Sequence, residues 1–456
     1  MHDLVVIGCG PGGYAAAIRA SQLGGKVAVI EAAETGGTCV NRGCVPAKVW
    51  HQAASILNSI GKGQTYGIHV SGHTLDLKAI VERKNGVSGD VRMGMEGLLA
   101  NNGVEVIRGH GLFRSPRAVE VEGTTWEAQA FIIASGSAPA SPDIQGLRNA
   151  AMTTDQVLDM KKLPPSVLVC GGEYIEIEMA NVLNTLGCKV ILATESSRLL
   201  SREDHDTSQR IAQALREQGI ELVTRSALTS VHKKGAGFAC SLTGPKERTV
   251  EVARVLVASR KPNTTGMGLE TLGVAMNDDG SIKVNERLET SVKGIYAIGD
   301  CTGGWMLSHA ASAMAVTAAE NAMGQHNRFP FHLIPRGSWT WPEVGSVGLT
   351  EEEAEKQGKD IEVGVFPYSI NGLAMCRNEM EGAVKIISDA RYGEILGVHI
   401  VGSNATELVG EAVLAMQLEC TAREFARGIR IHPTFSEALV DSARDAGKWA
   451  LYVPKR

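Results

Sequence analysis

Cys39 and Cys44 stand with four residues between them, in the run Gly36-Gly37-Thr38-Cys39-Val40-Asn41-Arg42-Gly43-Cys44-Val45-Pro46-Ala47-Lys48. A thiol pair can do two-electron chemistry, closing to a disulfide and reopening by thiolate attack. Two cysteines this near can bridge only where the backbone curls, because their Cα atoms must approach to about 5–6 Å. Gly43 supplies that freedom, and Pro46 suits the first turn of a helix. Cys44 is then expected at a helix N-terminus, where the dipole favours thiolate. A redox-active dithiol fits this pattern. On the spacing alone, a structural disulfide or two unrelated buried thiols remain open.

The elements that must position the pair begin at the start of the chain. Residues 4–7 are a short apolar strand, and Gly8-Cys9-Gly10-Pro11-Gly12-Gly13 completes G-x-G-x-x-G ahead of an Ala-rich helix. Such glycines allow a tight turn and a close approach of backbone to a pyrophosphate at the helix N-terminus. A second strand, residues 26–30, ends on Glu31, the acid placed to hold an adenosine ribose. Strand, glycine loop, helix, strand and acid together predict a dinucleotide site. The cysteine loop follows at once, which makes FAD the expected dinucleotide. At residues 167–170 the pattern restarts, with Gly171-Gly172, a helix to Leu186 and a strand over 189–193. This is an internal repeat of the opening unit.

The cysteine run resembles the redox-disulfide motif of flavin-dependent pyridine nucleotide–disulfide oxidoreductases, in particular their dihydrolipoamide dehydrogenase-like members. The resemblance extends over essentially the whole chain. The stretch 131–139, with Gly136 and Ser137, resembles the family's A-T-G-S-x-P signature. Residues 294–300 resemble its second FAD signature, with Asp300 on the ribityl chain, and Met306-Leu307-Ser308-His309 resembles the run opening the helix that points at the flavin. Ile431-His432-Pro433-Thr434-Phe435-Ser436-Glu437 resembles the H-P-T-x-S-E motif.

The resemblance implies an α/β fold with two Rossmann-like nucleotide-binding domains, the NAD-type one inserted in the FAD one, followed by an α+β dimerisation domain. The expected segments are 1–146 and 266–334 for FAD, 147–265 for the NAD-type domain and 335–456 for dimerisation. It implies that Cys39 exchanges with a dithiol substrate while Cys44 faces the flavin. Gly8, Gly10, Gly13, Glu31, Gly37, Thr38, Gly136, Ser137, Asp300, Met306, Leu307 and His309 then surround FAD. Lys48, one helical turn beyond Cys44, also lies at the flavin and pairs with Glu178. His432 serves as base with Glu437 as its orienter, both from the other subunit of a homodimer. The implied substrate is a lipoyl-bearing protein or small dithiol, and NAD+ is the family's usual acceptor.

One region departs from the family pattern. Where the repeat should read G-G-G-Y-I-G it reads Gly171-Gly172-Glu173-Tyr174-Ile175-Glu176. The positions matching Gly10 and Gly13 are glutamates. A carboxylate about 5 Å from a phosphate costs about 3 kcal/mol at an effective dielectric near 20. The position matching Glu31 is Thr194, with Glu195 adjacent, and residues 257–262 lack a glycine of the family's A-x-G-R-x-P. All three departures are expected to weaken NAD(H) binding. An electron partner other than NAD(H), or a non-catalytic flavoprotein scaffold, are the alternative readings.

Size and composition set the outer bounds. A chain of 456 residues suggests two to four domains. A hydrophobic share of 44% with 21% charged residues is that of a globular protein. The net charge of −5 gives no footprint for nucleic acid. No apolar stretch reaches the roughly 18–20 residues that span a bilayer, and no leader pattern opens the chain. Nine scattered cysteines suit a cytoplasmic protein with one special pair, and no metal site is expected.

Overall fold

A computed structural model describes residues 1–454. The chain divides into two compact units, one of residues 1–141, 153–162 and 259–330, the other of 142–152, 163–258 and 331–456.

The first unit is built on the strand His2–Ile7, which pairs in parallel with Val27–Glu31 on one side and Thr124–Ile133 on the other. Glu105–Arg108 and Ile295–Ala297 extend the parallel sheet, while Ala118–Val121 and Leu112–Ser115 add an antiparallel flap. The apolar runs are buried on both faces, as parallel strands covered by helices require. The helix Pro11–Gln22 follows the first strand and buries Gly12, Gly13, Ala16, Ala17 and Ala20. Small residues on that face let it lie close against the helix Ser308–Ala322, which buries its own row of alanines. The long helix Leu77–Asn101 begins where it does because the Asp76 carboxylate caps it by accepting from the N–H groups of Lys78 and Ala79.

The second unit opens with a wholly parallel sheet, in the order Glu221–Val223, Lys189–Ala193, Ser166–Cys170, Arg254–Val257 and Ala151–Met152. A three-stranded antiparallel sheet, Ala227–Lys234, Gly237–Thr243 and Arg248–Val252, packs its buried face into the same core. Residues from 331 onward form an antiparallel five-stranded sheet with the helices Ala405–Gln417 and Ser436–Ala446 around a second core. The expected α/β architecture with an α+β C-terminal part is therefore present. Buried ion pairs join its segments: the Arg336 guanidinium donates to both oxygens of Glu203, at 2.6 and 3.2 Å, and Lys385 donates to Asp204 at 3.0 Å.

Candidate active site and the two glycine loops

The cysteine loop folds as a short helix, Gly37–Asn41, followed by the helix Cys44–Lys62. Asn41 pins the first by donating to the carbonyls of Thr35 and Gly37, at 3.0 and 2.9 Å. Gly43 lies between the two, where an added Cβ would come to 3.1 Å from the Thr38 carbonyl oxygen. Cys44 is thus the first residue of the long helix, with Pro46 in its first turn, as expected. Both cysteines are free thiols. The Cys44 sulfur lies 3.1 Å from the Ser308 hydroxyl. The hydrogen bond from Cys39 pulls the Cys44 thiol well below its ordinary pKa; burial opposes this, and Ser308 and the Lys48 ammonium assist it. The same hydrogen bond, with burial, pushes Cys39 up. In the reduced pair the proton resides on Cys39 and the negative charge on Cys44.

The first glycine loop is shaped for an anion. A Cβ at Gly13 would fall 1.8 Å from the Gly8 carbonyl oxygen, so the helix rests directly on the turn and tolerates only glycine there. A Cβ at Gly37 would likewise come to 2.8 Å from the Gly10 Cα. The helix Pro11–Gln22 has no acid in its first turn and no side-chain cap, so its own side chains leave the terminal N–H groups to an anion. Glu31 stands at the end of the second strand with its oxygens accepting from the N–H groups of Cys9 and Ala33, at 2.6 and 2.7 Å. The Ser137 hydroxyl donates to Asp300 at 2.6 Å, which fixes that carboxylate beside the crossover at Gly136. Met306 takes a left-handed backbone at φ 50°, and Leu307 caps the helix in which His309 is the second residue. Gly8, Gly10, Gly13, Glu31, Gly37, Thr38, Gly136, Ser137 and Asp300 thus all lie in one unit, and this donor set fits FAD.

The second loop repeats the trace with different contents. Gly171 pairs off the strand as Gly8 does, its N–H donating to Ala193 at 2.8 Å where Gly8 donates to Ile30 at 2.8 Å. The expectation that Glu173 and Glu176 both face a pyrophosphate does not hold for Glu173. Its carboxylate turns away and accepts from the backbone N–H and hydroxyl of Ser201, at 3.0 and 2.6 Å. Glu176 does remain in the loop: a Cβ at Gly171 would meet its Cγ at 2.6 Å and a carboxylate oxygen at 3.1 Å. Glu176 is only 8% exposed, and burial raises its pKa to about 7 against hydrogen bonds from its own backbone and that of Glu173. Tyr174 directs its hydroxyl to Glu203 instead of toward a ligand. Thr194 is buried at the position matching Glu31 and accepts from Ser196, whereas Glu195 is exposed. These residues do not fit a pyrophosphate.

The third departure has a different location from the one expected. Arg260–Pro262 pairs antiparallel with Ser137–Pro139 inside the first unit. There Arg260 donates to the Ser137 hydroxyl at 2.8 Å and to its carbonyl at 2.7 Å, and more weakly to Thr38 at 3.4 Å. The altered segment therefore buttresses residues of the first loop and not those of the second.

His432 and Glu437 meet as the sequence motif suggested. His432 Nδ1 lies 2.9 Å from a Glu437 oxygen, whose partner oxygen accepts from the Thr434 N–H at 2.9 Å. With Nδ1–H donating to the carboxylate, Nε2 is left as the proton acceptor. The ring is 78% exposed. Glu178 accepts from the Trp339 N–H at 3.0 Å, and it belongs to the second unit whereas Lys48 belongs to the first. Residues outside the expected set also act on it, among them Ser308 on Cys44, Arg260 on Ser137 and Ser201 on Glu173. Ser308 and Arg260 had a signal in sequence, because they lie inside the runs 306–309 and 257–262, whereas Ser201 had none.

A reducible dithiol at a helix N-terminus, beside a glycine loop fit for a flavin dinucleotide, defines a FAD-dependent disulfide oxidoreductase. Comparison with known proteins agrees. Residues 2–315 match the model of the pyridine nucleotide-disulphide oxidoreductases, and residues 334–443 match that family's dimerisation domain. The chain belongs to this family, and its dimerisation domain makes it a homodimer. It is 38% identical to a dihydrolipoyl dehydrogenase of Thermus scotoductus, over 100% of this chain and 99% of that one. It is 35% identical to a mitochondrial dihydrolipoyl dehydrogenase of Arabidopsis thaliana, over 97% and 90%. Among solved structures it resembles LpdA of Mycobacterium tuberculosis, with a TM-score of 0.89 at 26% identity, covering 97% of this chain and 99% of the other. It also resembles RclA of Escherichia coli, an HOCl-induced flavoprotein disulfide reductase, with a TM-score of 0.85 at 27% identity over 97% and 99%. No helix among the described residues is long and apolar enough to cross a membrane.

Proposed function

We propose that the protein oxidises a dihydrolipoyl-type dithiol through Cys39 and Cys44. The observation that carries this reading is the unequal pair, with charge held on Cys44 by Cys39, Ser308 and Lys48. In the oxidised protein a substrate thiolate attacks the Cys39 sulfur, and the Cys39–Cys44 bond breaks to release Cys44 as thiolate. His432 of the partner subunit, held by Glu437, takes the proton of the second substrate thiol. That sulfur then attacks the one bound to Cys39, closing the substrate disulfide and releasing Cys39, which recovers the proton from His432. Two electrons are left on the Cys39–Cys44 dithiol, and bound FAD supplies the sink that accepts them. Gly8, Gly10, Gly13, Glu31, Gly37, Thr38, Gly136, Ser137, Asp300, Met306, Leu307 and His309 would hold that group, with Lys48 beside it. The four-segment domain division and a cytoplasmic location, with a lipoyl protein or small dithiol as partner, complete the reading.

The test is anaerobic mixing of the flavin-loaded protein with dihydrolipoamide. Rapid bleaching of flavin absorbance, absent in Cys39→Ser, is expected. Unchanged absorbance in the parent protein overturns the proposal.

A further inference from the structure

Dinucleotides bind Rossmann loops because the first turn of the helix has backbone N–H groups without intrahelical partners. In the second unit that helix is Tyr174–Thr185, and its first turn carries its own acid. Glu176 is the third residue of the helix, the position from which a carboxylate folds back onto the N-cap backbone in a capping box. Its side chain lies across Gly171 at 2.6 Å from where a Cβ would stand, and is buried. The backbones of Glu173 and Glu176 act on it to lower its pKa, against the larger effect of burial. In the first unit the matching residue is Gly13, where even a methyl group has no room. The second helix therefore cannot sit on its strand as the first does, and the side chain that separates them is a buried carboxyl group.

The other polar groups of the loop are also satisfied internally. Glu173 is tied to Ser201, Tyr174 to Glu203, and Arg198 is committed to Glu352 at 2.6 and 2.8 Å. We propose that Glu176 is a resident plug of the second glycine loop: its carboxylate takes up the helix-terminal N–H groups that a dinucleotide pyrophosphate needs, and closes this site to NAD(H). The inference rests on the oxidoreductase reading only for its flavin reporter, because the plug is a property of the second unit alone.

The experiment titrates NAD+ into the flavin-loaded dimer by calorimetry and follows flavin reduction by NADH in stopped flow. The parent is expected to show no saturation at millimolar nucleotide. Glu176→Gly, verified by its melting curve, is expected to bind about 10²-fold more tightly, the factor that removing one like charge some 5 Å away supplies. Glu173→Gly alone is expected to gain less, since its carboxylate already points to Ser201. Should the glycine variant not fold, Glu176→Gln keeps the shape without the charge and must still gain roughly tenfold, about 1.4 kcal/mol. Saturable binding by the parent at micromolar NAD+ overturns the proposal. So does a folded Glu176→Gly that binds no better than the parent. Dihydrolipoamide serves as a separate arm: if it fails to reduce the flavin, the proposed function fails, while the calorimetric result on the plug still stands.

Discussion

The two glycine loops follow the same strand–turn–helix path, yet only one keeps an open helix terminus. In the first, Gly13 lets the helix touch the Gly8 carbonyl, and no side chain competes for the terminal N–H groups. In the second, Glu176 fills both roles at once, as spacer and as the carboxyl group lying over the loop. A backbone motif thus survives the loss of its ligand provided that an internal group satisfies the same donors. Fold resemblance alone does not report such a change; the contents of one helical turn do.

Copying the second loop into the first should break the comparison most severely. Gly13→Glu forces a side chain into a gap closed at 1.8 Å, and the protein is expected to purify without flavin, read as the ratio of visible to ultraviolet absorbance. A yellow Gly13→Glu protein would refute the role assigned to that contact. Next in size, Cys44→Ser should abolish turnover with dihydrolipoamide and the long-wavelength thiolate–flavin band of the two-electron-reduced protein. Cys39→Ser should also abolish turnover yet show the band, since it leaves the charged sulfur in place. The reverse pattern would exchange the two roles.

His432→Ala should slow flavin reduction by dihydrolipoamide by roughly 10²–10⁴-fold, the range for a lost general base, and Glu437→Ala by less. Equal rates in mutant and parent would locate the base elsewhere.

A smaller effect distinguishes the second loop thermodynamically. The Glu176 pKa is raised from 4.5 to about 7, so the folded state binds more protons than the unfolded one between those values. Stability should then fall as pH rises through that window and level off above it. Glu176→Gln removes this dependence and should stabilise the protein at about pH 8 by up to about 3 kcal/mol, with little change at about pH 4. Denaturant melts at the two pH values decide the matter; a parent curve flat across the window would count against a buried, charged Glu176. Smallest of all, Ser308→Ala removes one of the hydrogen bonds that lower the Cys44 pKa. On acidification the long-wavelength band should vanish at a higher pH than in the parent, by less than about one unit.

Much of this was legible in sequence because it is local. Glycine spacing, Glu31 at a strand end, and the Cys39–Cys44 and His432–Glu437 separations are each set within one turn or loop. What escaped depends on long-range placement. Ser308 reaches Cys44 across 264 residues, and Ser201 turns Glu173 aside across 28. Arg260 was read as part of the damaged second loop, but strand pairing with Ser137–Pro139 brings it to the first. The two glutamates looked equivalent in the motif. Their environments separate them: one finds a hydroxyl and a backbone donor, the other is buried over a glycine.

The buried ion pairs of the second unit bear on how this protein can be dissected. Residues 163–258 resemble a self-sufficient nucleotide fold, yet Glu203 and Asp204 take their cations, Arg336 and Lys385, from beyond residue 330. Removing one partner of a buried pair typically costs 3–5 kcal/mol, because the remaining charge has neither water nor counter-ion. A truncation ending near residue 330 therefore strips two acids of their partners in one cut, enough to consume much of a domain's net stability. The apparent module is not a portable one: grafted or expressed without the C-terminal segment it should be insoluble, and limited proteolysis of the intact chain should release both segments of the unit together.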